Sequence, residues 1–141
     1  MPPNSDRPYT SVLLIDGNAT DRAFYAGELN ACSSGYRVVE ATDEQSGLDL
    51  YRSQRIDCVV TELTLWDKSG FEILADLVPA ASRPQVAVIV LTSIGHLGVK
   101  DLATKSGAYT CCVKAQTLGY DLDRAIQRAV AFVGQMSKEV Q

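Results

Sequence analysis

At 141 residues and 15.2 kDa the chain has the length of one domain. A chain of that size buries roughly two-thirds of its unfolded surface and needs no metal or disulfide to fold. Hydrophobic residues at 46% and charged residues at 21% exclude a disordered chain, and thirteen Lys and Arg against seventeen Asp and Glu, a net charge of -4, argue against a domain that grips nucleic-acid phosphates. The longest apolar run, Val86 to Leu91, is far too short to cross a bilayer. Residues 1–10, opening Met1-Pro2-Pro3-Asn4, lack the basic end and apolar stretch of a signal peptide and read as a loose leader. Cys32, Cys58, Cys111 and Cys112 show no C-x-x-C spacing and no histidine cluster, so neither a zinc site nor a disulfide framework is expected. The expectation is a reduced, soluble, cytoplasmic domain, whole or cut from a longer chain.

Val12-Leu13-Leu14-Ile15, closed by Asp16-Gly17-Asn18, predicts a buried first strand and a turn. Asn18, with Asp21 three residues on, caps a helix carrying Tyr25, Leu29 and Cys32, which Gly35 stops. Arg37 to Ala41 predicts the second strand, and Thr42-x-x-Gln45 a capping box for a helix with Leu48 and Tyr51. Cys58 to Glu62 is the third strand, and Ser69-x-x-Glu72 boxes a helix with Phe71, Leu74 and Leu77. Val86 to Leu91 is the fourth strand; past Thr92-Ser93 comes a helix with Leu97 and Leu102 that Gly98 weakens and Gly107 ends. Tyr109 to Val113 is the fifth strand. Leu118, Leu122, Ile126, Ala129 and Val133 mark one face of a final helix running toward Met136, about 30 Å at about 1.5 Å per residue.

Strands alternating with helices predict an α/β fold with a parallel sheet covered on both faces, the flavodoxin-like doubly wound (βα)5 class of strand order 2-1-3-4-5. One folded unit is expected over residues 11–134, with 135–141 as a helical extension or linker. Sites in such sheets lie beyond the carboxyl ends of the strands. Here those ends are Asp16, Glu62, Thr92-Ser93 and Lys114: two carboxylates, hydroxyls and an ammonium on one edge. His96, the only histidine, falls in the loop after strand four and reads as a solvated imidazole without a second ligand. Cys111 and Cys112 point to opposite faces of a strand and read as packing. Trp66 reads as a hydrophobic lid over the third helix or as a partner contact.

From Ser11 to Phe132 the chain resembles a response-regulator receiver domain, the phosphoacceptor module of two-component signalling. Its most specific stretch, Ile56-Asp57-Cys58-Val59-Val60-Thr61-Glu62-Leu63-Thr64-Leu65-Trp66-Asp67-Lys68-Ser69-Gly70-Phe71-Glu72-Ile73-Leu74, is similar to the family's third strand, active-site loop and start of the third helix. Leu91-Thr92-Ser93 and Cys112-Val113-Lys114 are similar to its hydroxyl and lysine segments. The resemblance implies that Glu62 stands where an Asp accepts a phosphoryl group from a histidine kinase, and that Asp16 and Gly17 stand where two acids hold Mg²⁺ with it. It implies that Thr92 and Lys114 bind the phosphoryl oxygens, and that Cys111 takes the switch position of an aromatic that swings inward on activation. The chain departs from the family pattern in Glu62 for Asp, Gly17 for an acid, Ala115 for Pro, Cys111 for the aromatic and Trp66 for a loop Pro.

Mg²⁺ demands near-octahedral oxygen ligation at about 2.0–2.1 Å. Gly17 removes a carboxylate and Glu62 carries another outward by one carbon, so Mg²⁺ binding at Asp16 and Glu62 is expected to be weak or absent, with no other cofactor. A misplacement of about 1 Å costs in-line transfer on the order of 10²-fold. The expectation is therefore a pseudo-receiver, not an enzyme, that works without phosphorylation and through protein–protein contacts. Glu62 is long enough to reach Lys114 or Thr92, and two readings of it stand side by side. In one it imitates the phosphorylated state, with one charge and two oxygens against about -1.5 to -2 and three. In the other it is a partly buried acid paired with Lys114 in a pocket that has drifted. The resemblance implies a histidine kinase or another signalling protein as partner, an output domain if the chain is a fragment, and a second copy through helix four, strand five and helix five. No nucleic acid and no membrane are expected to bind. The alternatives are a conventional Mg²⁺-dependent phosphoacceptor of weak activity, or an enzyme such as a flavoprotein or small phosphohydrolase on the same fold. Against the enzyme, Asp16-Gly17-Asn18-Ala19-Thr20-Asp21 puts two acids where a phosphate loop needs hydroxyls and amides.

Overall fold

A computed structural model describes residues 9–32, 34–64, 70–81 and 84–140. Trp66, Ser69 with its capping box, and most of the leader lie outside the described residues. Five strands alternate with five helices: β1 (Thr10–Ile15), α1 (Ala19–Asn30), β2 (Tyr36–Ala41), α2 (Glu44–Ser53), β3 (Cys58–Thr61), α3 (Gly70–Leu77), β4 (Ala87–Thr92), α4 (Leu97–Lys105), β5 (Thr110–Val113) and α5 (Gly119–Val140). The strands form one parallel sheet in the order β2-β1-β3-β4-β5. The flavodoxin-like architecture expected from the alternation is the one observed.

The sheet is apolar on both faces because successive strand residues point to opposite sides. Leu13, Ile15, Val59, Val88 and Val90 meet Leu48, Ile73, Leu74, Leu77 and Ala103, which puts α2, α3 and α4 on one face. Val12, Leu14, Val60, Ile89 and Leu91 meet Tyr25, Leu29, Leu122, Ile126 and Ala129, which puts α1 and α5 on the other. Each such side chain contributes about 1.5–3 kcal/mol on full burial, so the sheet and its helices, rather than any polar cluster, hold the fold. Cys111 joins the first of these cores and Cys112 packs against the second, as the strand period requires.

Local differences from the sequence expectation have local causes. α1 ends at Asn30, five residues before Gly35; that glycine, at φ 77, instead turns the chain into β2 and accepts from Thr10 N–H at 2.9 Å. The cap of α2 is Asp43, not Thr42: its carboxylate accepts from Ser46 N–H at 2.8 Å, and a carboxylate at this end also favours the helix dipole. Glu62 lies one residue past the end of β3, and Tyr109 one residue before β5. Leu102 and Leu118 were expected on buried helix faces but are 53% and 65% exposed; Ala103 and Leu122 take the inward positions. Gly107 ends the α4 segment at φ 116, where a Cβ would fall 2.6 Å from Val78 Cγ1.

Candidate functional site

The parallel register carries the ends of β1, β3, β4 and β5 to one edge of the sheet. Asp16 follows β1 and is 3% exposed; Glu62 follows β3 and is 5% exposed; Thr92 closes β4 fully buried. Lys114 follows β5 and opens a single 3-10 turn, Lys114–Gln116. Its Nζ lies 2.7 Å from Asp16 Oδ2, 2.9 Å from Asp21 Oδ2 and 3.2 Å from Glu62 Oε1, so each of the three ammonium protons has a carboxylate to face. Three carboxylates against one ammonium leave the pocket anionic.

Backbone donors hold the acids in turn. Asp16 Oδ1 accepts from Asn18 N–H at 2.8 Å, and the guanidinium of Arg22 donates to the Asp16 carbonyl at 2.8 Å. Glu62 Oε2 accepts from its neighbour Leu63 N–H at 2.6 Å, while Oε1 accepts from Ser93 N–H at 3.2 Å. One side chain thereby ties the end of β3 to the ends of both β4 and β5. Of the two groups that Glu62 was long enough to reach, it meets Lys114; the Thr92 hydroxyl instead accepts from Ile94 N–H at 3.1 Å. Cys111 is buried in the core beneath, and burial pushes its thiol pKa up. His96 is exposed at the N-cap of α4 and makes no side-chain cap bond.

Burial alone would lower the pKa of Lys114, but the hydrogen bonds to Asp16 and Asp21 and the charge of Glu62 outweigh it and hold the ammonium above its ordinary range. A raised pKa for a base means that the stabilisation is complete below the unfolded value, about 10.4, and is lost as pH rises through the folded one. The stability gap between the protein and a Lys114→Met variant is therefore expected to stay constant from about pH 7 to about pH 9 and to narrow above about 10.4 in thermal melts.

Asp21 is the lysine partner that the sequence did not reveal: it stands beside the Asn18 cap and as one of two acids in the loop after β1, and an acid in a first helical turn is commonplace. Both roles hold: Asn18 Oδ1 accepts from Asp21 N–H at 2.9 Å, while the Asp21 side chain turns to Lys114.

The family model of the response regulator receiver domain matches residues 12–126. The chain belongs to the response regulator receiver family. Such receivers act in signal transduction in two-component systems; they are in general non-enzymatic modules that interact with histidine kinases and output domains. This receiver is 28% identical over 86 residues to the transcriptional regulatory protein GlrR of Escherichia coli, covering 61% of the chain and 19% of GlrR. It is 27% identical over 108 residues to the sensor protein EvgS of the same organism, covering 77% of the chain and 9% of EvgS. The chain thus spans less than a fifth of either relative's length. Among solved structures, a receiver domain protein from Clostridium thermocellum superposes with a TM-score of 0.74 at 27% identity, over 90% of this chain and 98% of that one. Among the described residues, no helix is long and apolar enough to cross a membrane.

Proposed function

We propose that this receiver signals without accepting phosphate, through protein contacts made in one fixed state of its pocket. The observation that carries the reading is the geometry of Glu62: Oε1 receives the Ser93 amide and faces the Lys114 ammonium, and Oε2 receives the Leu63 amide. A carboxylate so engaged has no free oxygen aimed for in-line attack. The contacts to Ser93 and Lys114 favour fixed-state imitation over drift, because a drifted pocket has no need to join three strand ends through one side chain.

The residues fit a divalent ion poorly. Gly17 offers no carboxylate, and Lys114 sits among the acids that remain, so that the chain supplies its own cation. Among the described residues, no group of three His, Cys, Asp or Glu side chains is arranged to hold a metal ion. Incubation with acetyl phosphate and Mg²⁺, followed by intact mass measurement, is expected to leave the protein unmodified beside a conventional receiver that gains a phosphoryl group. A stable label mapped to Glu62 would restore the conventional phosphoacceptor.

The working surface of this reading is the face of α4, β5 and α5. Leu102, Tyr109 and Phe132, one near or within each element, are all partly exposed, and the rings of Tyr109 and Phe132 meet at 5.5 Å. A kinase or other signalling protein, a second copy, or an output domain reached through a helical extension at 135–141 would dock there, in the cytoplasm. In this reading the leader ends before Thr10, where β1 begins, and the receiver runs to about residue 134.

A further inference from the structure

Helix α1 grips Lys114 at both of its ends. Asp21 and Tyr25 lie four residues apart, hence on one face of the helix. Asp21 Oδ2 takes the amine at 2.9 Å. The Tyr25 hydroxyl lies 2.9 Å from the Thr117 carbonyl oxygen and 3.3 Å from that of Lys114, to both of which it can donate. Tyr25 is buried in the core between α1 and α5, and its hydroxyl spends its proton on this one turn. Thr117 helps to close the turn: its N–H donates to the Lys114 carbonyl at 3.2 Å and its hydroxyl donates to the Val113 carbonyl at 2.7 Å.

Two features make such a grip necessary. Ala115 follows the lysine, and alanine leaves φ free where a proline would fix it. Gly17 has no side chain with which to meet the amine. A lysine held in one rotamer gives up nearly all its torsional freedom, so its geometry needs anchors at the backbone and at the amine. We infer that Asp21 and Tyr25 are positioning residues, a two-point clamp from α1 that holds Lys114 among the carboxylates. The inference rests on the Lys114 geometry used above but not on the absence of phosphorylation.

The test is the acetylation rate of Lys114 under a brief pulse of an N-hydroxysuccinimide ester, read by peptide mass spectrometry with the exposed Lys100 and Lys105 as internal references. Tyr25→Phe and Asp21→Asn are each expected to raise Lys114 labelling about fivefold, the change that loss of one net hydrogen bond produces, with both references unchanged. A merely packing role for Tyr25 would lower the melting temperature and leave Lys114 as slow as before, and that result overturns the clamp. Should Tyr25→Phe not fold, amide exchange in the unaltered protein decides. Protection of the Thr117 amide equal to that of β5 supports the clamp, and exchange at the rate of surface loops overturns it. Saturable Mg²⁺ binding by the unaltered protein would sink the metal-independent reading alone, since the labelling ratios do not depend on it.

Discussion

Lys114→Met is expected to destabilise the domain by about 3–5 kcal/mol, the cost of leaving buried charge without its partner. The size follows from burial: Asp16 and Glu62 are almost wholly out of solvent, and among the described residues the Lys114 ammonium is the one cationic group paired with both within 4 Å. Asp21 adds less, because its side chain is 39% exposed and water screens it. In thermal melts at pH 7 the loss corresponds to a fall in Tm on the order of 10 °C for a domain of this length. A loss under about 1 kcal/mol would mean that the cluster is no better than a surface ion pair and that the Glu62 geometry does not fix the pocket.

The second large effect is a gain. Gly17→Asp combined with Glu62→Asp is expected to create a measurable Mg²⁺ site, with affinity tighter by an order of magnitude or more, since ligand charge count tunes such sites over several decades. The backbone admits the change: a Cβ at position 17 would lie 3.4 Å from the Thr42 carbonyl oxygen, an ordinary contact, and the residue holds no left-handed conformation. Shortening position 62 withdraws the carboxylate from Ser93 N–H and Lys114, freeing an oxygen for attack, while Thr92 and Lys114 stay at the strand ends. Calorimetric titration with Mg²⁺ and phosphoryl uptake from acetyl phosphate check the two halves separately. If the double variant binds no Mg²⁺, the pocket differs from a phosphoacceptor by more than these two positions. Asp21, which engages the lysine from α1, is then the next residue to change.

The sheet order and the edge that carries the site were legible because both follow from periodicity. Apolar runs such as Val12 to Ile15 and Val86 to Leu91 are short, buried on both sides and spaced by helices, and a doubly wound sheet brings their carboxyl ends together. Asp16, Glu62, Thr92 and Lys114 could be listed from that rule alone. What stayed hidden depends on side-chain reach. Tyr25 shows in the sequence only as an apolar position of α1, yet its hydroxyl bonds 92 residues away. Asp21 sits where helices commonly carry an acid. Leu118 fits the apolar stripe of α5 but precedes the helix, whose first residue is Gly119, so its side chain leaves the core. Thr42 and Asp43 differ by one place, and only the observed hydrogen bond shows which of two good capping residues turned inward.

Glu62, which accepts from the Leu63 and Ser93 amides and pairs with the Lys114 ammonium, has a consequence for timing. A phosphoryl group on a receiver is a message with a lifetime, written by one reaction and erased by hydrolysis. A carboxylate that belongs to the polypeptide has no decay rate. If Glu62 sets the output state, the domain keeps no clock and remembers no recent event. What it can report is how much of it has been made and which partner is present to meet it, so control of this receiver passes from phosphoryl chemistry to synthesis, degradation and competition for its surface.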